Sequence, residues 1–119
     1  MKIKLKNHHG RLYHAAPLPS GSRMIGEVTR QRVGSGALVL LASGRFAQLN
    51  AGTLTSLDQA EAARELLKAW AAENGLTQAE VADRFGVSAN AVASWFSGRR
   101  SFGGAALKLL LMMNDFQLF

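Results

Sequence analysis

The chain has no cysteine among its 119 residues. That excludes a disulfide framework, a thiolate nucleophile and every cysteine-ligated zinc or iron–sulfur site. Long apolar runs are missing too. The longest near-continuous one, Leu107 to Met113, is interrupted only by Lys108 and is too short to span a bilayer. Lysines stand at positions 2, 4 and 6, but neither an apolar core nor a small-residue cleavage site follows them, so no signal peptide is expected. A soluble cytoplasmic protein without a membrane partner is the expectation. Acidic residues are nearly absent from the first half. Residues 1–57 hold eight basic residues against Glu27 alone, a net +7, whereas residues 58–119 hold six basic and seven acidic, a net −1. What is present is a globular composition, 48% hydrophobic and 18% charged, with an overall charge of +6 that favours a polyanionic partner.

Periodicity changes where the charge does. Lys2-Ile3-Lys4-Leu5-Lys6 alternates as a half-buried strand should, and Arg11 to Ala15 reads as a second strand across the turn Asn7-His8-His9-Gly10. Pro17, Pro19 and Ser20-Gly21-Ser22 mark a loop. Glu27 to Val33 is predicted as a third strand, with Gly34-Ser35-Gly36 as a loop. Ala37 to Ala42 and Arg45 to Leu49 flank Ser43-Gly44 as a compact hairpin, and Asn50-Ala51-Gly52 makes a turn. Residues 1–57 therefore read as a small, mostly antiparallel sheet.

From Asp58 the period is helical. Asp58 with Glu61 forms a capping-box pattern, and Leu57 can staple onto Ala62. Ala62, Leu66, Ala69 and Trp70 share one face of a helix predicted to end near Asn74-Gly75. Thr77 with Glu80 opens a second helix through about Phe85. Gly86 suits a left-handed turn, Ser88 caps a third helix to about Ser97, and Gly98 ends it. A fourth helix, from about Gly104 to Met113, is apolar on nearly every face. Val81, Phe85, Val87, Val92 and Trp95 form the expected inward face, closed by Leu66, Trp70, Leu107 and Leu110.

The stretch Leu76-Thr77-Gln78-Ala79-Glu80-Val81-Ala82-Asp83-Arg84-Phe85-Gly86-Val87-Ser88-Ala89-Asn90-Ala91-Val92-Ala93-Ser94-Trp95-Phe96-Ser97-Gly98-Arg99-Arg100 resembles the helix-turn-helix of the lambda repressor-like (Cro/CI-type, xenobiotic-response-element type) family. With its flanking helices the resemblance covers residues 59–114, and none is found for the N-terminal half. Ala82 is small where the two helices cross. The resemblance implies a four-helix lambda repressor-like domain at 58–119, and with the small N-terminal antiparallel β-sheet read above the chain is expected to be α+β. It also implies double-stranded DNA as partner, with the helix at 88–97 in the major groove.

Carried over position by position, the resemblance makes Ala89, Asn90, Ala91 and Ser94 the base-reading residues. Asn90 is the best reader, because its amide can pair with adenine N6 and N7. Gln78, Ser88, Ser97, Arg99 and Arg100 fall where the family meets the DNA backbone. Ala89 and Ala91 depart from the long polar side chains many relatives carry there. Direct readout is therefore thin, and two copies on an inverted repeat are expected. Such a protein is a transcriptional regulator, a repressor or an autoregulator of the compact phage, plasmid or toxin–antitoxin kind. The other class that fits is a protein-interaction or assembly module, an antitoxin or phage adaptor.

The basic sheet has three roles open to it: dimerisation, extra DNA contacts, or binding of a partner. Arg30 and Arg32 are the candidate accessory DNA contacts, while the alternating lysines read more simply as a solvated face that guards an edge. His8, His9 and His14 lack neighbouring carboxylates, so no metal site is expected. No Ser–His–acid order, carboxylate pair or phosphate-cradling glycine loop is present, so neither catalysis nor a cofactor is expected. The apolar C-terminal residues, Leu107, Leu109 to Met113, Phe116, Leu118 and Phe119, exceed what one helical face buries; either the helix sinks into the core with its tail packed under the sheet or, the favoured reading, these residues form a homodimer interface.

Overall fold

The computed structural model describes residues 1–5 and 18–113. Five strands come first among them: β1 (Lys2–Lys4), β2 (Arg23–Arg30), β3 (Gly34–Leu40), β4 (Phe46–Asn50) and β5 (Thr53–Ser56). They pair in chain order as one antiparallel sheet. Four helices follow: α1 (Gln59–Glu73), α2 (Gln78–Phe85), α3 (Ala89–Ser97) and α4 (Gly104–Met113). The architecture is the α+β arrangement expected. The strand expected at 11–15, its preceding turn, Lys6 and the three histidines lie outside the described residues, as do Phe116, Leu118 and Phe119.

In β1 the alternation holds, with Ile3 buried between exposed Lys2 and Lys4. The third expected strand is displaced: β2 starts at Arg23 and stops at Arg30 rather than running from 27 to 33. Its stop is conformational. Arg32 adopts φ 71°, and the Val33 N–H donates to the Arg30 carbonyl at 3.3 Å, turning the chain. Gly34-Ser35-Gly36 is then not a loop but the start of β3, paired with Arg30, Thr29 and Val28. Gly26 is required by β1, since a Cβ there would sit 2.4 Å from the Lys4 carbonyl oxygen. From Ala37 to Leu40 and from Phe46 to Leu49 every residue is buried. These central strands are covered on both faces, so their sequence runs apolar instead of alternating.

Strand β5 is not legible as a strand, because all four of its residues are exposed. It is created by the turn before it, a two-residue hairpin in which Ala51 and Gly52 take φ 50° and 81° between paired Asn50 and Thr53. Such a turn favours asparagine over alanine at its first position. Ala51→Asn is expected to stabilise the chain by about 1 kcal/mol, raising Tm by roughly 4 °C in a thermal melt. An unchanged or lower Tm would contradict this account of the turn.

Helix α1 sits between the sheet and the other helices. The Asp58 carboxylate accepts from the Glu61 N–H at 2.9 Å, and Leu57 is buried beside buried Ala62, as the staple requires. The Glu61 carboxylate stands 3.5 Å from the Met1 amine. The buried face is wider than the single stripe expected: Ala62, Ala63, Leu66, Leu67, Trp70 and Ala71, with Ala69 only half-buried. The helix needs that width because it meets two layers. Gln59 anchors its first turn to β4, donating to the Phe46 carbonyl at 2.9 Å while its side-chain oxygen accepts from the Phe46 N–H. One hydrophobic core runs from Ile3, Val28, Leu38 and Phe46 through α1 to Val81, Phe85, Val92 and Leu110.

Candidate nucleic-acid interface

The motif is built from local capping. The Thr77 hydroxyl accepts from the Glu80 N–H at 3.2 Å, and the Glu80 carboxylate accepts from the Thr77 N–H at 3.0 Å. This reciprocal pair starts α2. Gly86, at φ 68°, ends the helix in the left-handed region, its N–H turned back to the Ala82 and Asp83 carbonyls. The Ser88 hydroxyl accepts from the Ala91 N–H at 3.2 Å and starts α3, and Gly98 closes that helix at φ 83°.

Glu80 is fully exposed, and the two hydrogen bonds from Thr77, the backbone one first, hold its carboxyl below the usual value of 4.5. A carboxylate depressed by folding stabilises the fold above its unfolded pKa, and that contribution is lost as pH falls through the folded value. Stability is therefore expected to decline below about pH 4.5 with a contribution from Glu80. Thr77→Ala should raise the Glu80 carboxyl pKa in an NMR titration. A pKa unmoved by that substitution would show that the threonine hydroxyl adds nothing to the shift, since alanine keeps the backbone N–H that bonds the carboxylate.

Beneath the motif, aromatic rings knit the helices together. Phe85 meets Trp70 at 5.8 Å, Trp95 at 5.6 Å and Phe102 at 5.8 Å between centroids, each edge to face. Phe102 and Trp95 are 5.1 Å apart. Phe102 is buried, though it lies in the α3–α4 connection and carries no periodic signal in the sequence. Three members of the expected inward face differ: Val87 is 38% exposed, and Trp95 and Leu107 are only half-buried. Val87 follows the Gly86 turn, where its N–H is tied to the Ala82 carbonyl at 3.0 Å and its side chain is carried outward.

At the surface, Ala89 and Asn90 occupy the exposed first turn of α3, directly after exposed Ser88. Ala91 and Ser94 are half-buried one turn apart on the same helix, and Gln78 is exposed at the start of α2. The end of α3 is ordered by side chain and backbone together. The Ser97 hydroxyl donates to the Ser94 carbonyl at 3.2 Å and accepts from the Arg99 N–H at 3.4 Å. The Arg100 N–H also donates to the Ser94 carbonyl, at 3.2 Å. Ser97 thus positions Arg99 and Arg100, both exposed, immediately past the helix. Arg64 of α1, unremarked in the sequence, packs against this junction: a Cβ on Gly98 would lie 3.0 Å from its Nη1.

Arg30 and Arg32 belong to a different part of the surface. They flank the β2–β3 turn, at the opposite end of β3 from the Leu41–Arg45 turn, about 20 Å along the strand. Arg30 is half-buried, with Nη1 shielded from solvent. Among the described residues no group of three or more His, Asp or Glu is arranged to hold a metal ion. Nor is any helix among them long and apolar enough to cross a membrane.

Two capped helices joined by a left-handed glycine turn define a helix-turn-helix. Residues 67–112 match the family described as helix-turn-helix, in keeping with the resemblance of the motif. It is a family of DNA-binding regulators rather than of enzymes. No curated protein and no solved structure matches the chain.

Proposed function

We propose that this protein is a sequence-specific double-stranded DNA-binding transcriptional regulator acting in the cytoplasm. It works as a homodimeric repressor or autoregulator on an inverted repeat. The observation that carries this reading is the first turn of α3, where Asn90 stands exposed between Ser88 and Ala91, with Arg99 and Arg100 ordered at the other end of the same helix. Asn90 reads a base edge, most favourably adenine, and Ser94 adds a weaker contact. Ala89 and Ala91 let the helix approach closely. Gln78, Ser88, Ser97, Arg99 and Arg100 lie toward the phosphates and fix register.

One strong base reader defines a poor site, so specificity comes from two copies. The exposed apolar face of α4 supports that arrangement. Leu109 is 37% exposed, Met113 39% and Met112 75%, an unusual cost for a monomeric surface that a second copy would remove. Selection from a random duplex pool at two salt concentrations tests the reading. Enrichment of an inverted repeat is expected. Salt-sensitive binding without enrichment would replace it with a general nucleic-acid binder, and absence of binding would replace it with a protein-interaction module.

A further inference from the structure

The β3–β4 hairpin ends beside the segment that follows the recognition helix. Ser43 and Arg45 line an open cleft of about 340 Å³ together with Ser101, Phe102, Gly103 and Gly104. Arg45 is exposed, and among the described residues no carboxylate pairs with it. No acidic residue lines the cleft. The backbone carrying Arg45 is held on both sides. Its carbonyl accepts from the Leu41 N–H at 2.8 Å, and the next residue, buried Phe46, is clamped by Gln59. In the same cleft, Ser101 directly follows Arg99 and Arg100, whose backbone is tied to the end of α3.

We infer that the β3–β4 hairpin is a second contact to the DNA backbone, with Arg45 binding a phosphate next to those met by Arg99 and Arg100. The inference rests on the DNA-binding reading above. The sheet then serves recognition directly, and it does so through the turn nearest the motif, not through the distant turn that bears Arg30 and Arg32. A phosphate contact carries no sequence information; it adds affinity and fixes how the helix lies in the groove.

The test uses the full chain and a labelled random-sequence duplex, with affinity read across a salt series. Each phosphate neutralised contributes a slope of about −0.9 in log K against log salt. Arg45→Gln is therefore expected to flatten the slope by about 0.9 and weaken binding about eightfold at 0.1 M salt. Arg45→Lys should retain most of the slope. The comparison variant is the double substitution Arg30→Gln, Arg32→Gln, which removes more charge from the far turn and should change the slope less. Thermal melts of each variant confirm that the fold is intact. An unchanged slope in Arg45→Gln, beside normal wild-type binding, would overturn the hairpin contact and leave the DNA-binding reading standing. An equal or larger loss in the double variant would overturn it too, by showing a bulk charge effect. Wild-type chain that fails to bind any duplex would overturn the DNA-binding reading itself.

Discussion

Replacing Phe85 with alanine is expected to destabilise the chain by about 3–5 kcal/mol, measured by urea unfolding. The ring is the meeting point of α1, α2, α3 and the α3–α4 connection, in edge-to-face contact with Trp70, Trp95 and Phe102. Truncation leaves a cavity bounded by three other rings, none of which can collapse into it without losing its own contacts. Small domains have about 5–15 kcal/mol in total, so the variant would have lost much of its margin. Phe85→Leu, which keeps most of the volume, should cost distinctly less. A loss below about 1 kcal/mol for the alanine variant would mean that the aromatic cluster is not where the helices are held together.

Asn90→Ala is expected to behave in the opposite way. Asn90 is exposed on the first turn of α3, and the Ser88 cap that starts the helix does not involve its side chain. The melt should therefore stay close to wild type. On the selected operator, however, the variant should lose about 1–3 kcal/mol of discrimination, roughly 5- to 150-fold. Binding to random duplex should hardly change, because phosphate contacts remain. Competition between operator and random duplex reads this directly. If operator preference survived the substitution, the base readout would have to lie elsewhere than on this turn.

The helices were the most legible part of the sequence because their limits are set within a few residues. Thr77 with Glu80, Gly86, Ser88 and Gly98 each act on neighbouring backbone, and the structure places every one at the helix end it was expected to mark. The sheet depended on less local events. Strand β2 ends because Arg32, not a glycine, enters the left-handed region, and no composition rule signals that. Strand β5 exists because the Asn50–Thr53 turn directs it alongside β4, although its residues are exposed throughout.

The candidate site divides the same way. Asn90 and Gln78 could be placed by position in the motif. The shared cleft of Arg45 and Ser101 and the approach of Arg64 to Gly98 could not, since those pairs lie far apart in the chain and are brought together only by tertiary packing. Phe102 was hidden for a related reason: a single aromatic residue between Arg99-Arg100-Ser101 and Gly103-Gly104 has no repeat around it to mark it as buried.

The shared core also bears on how the molecule is made. During synthesis the sheet leaves the ribosome first, yet Val28, Leu38 and Phe46 have no cover on their helix-facing side until α1 follows. At that stage the newborn chain exposes an apolar sheet face, with β1 and β5 as the edges among the described strands, which is the form most prone to sticking to other chains. Exposed Lys2 and Lys4 on one edge strand oppose that association through charge. The danger passes when Leu66, Leu67 and Trp70 dock, so completion of the helical half is also what makes the first half safe.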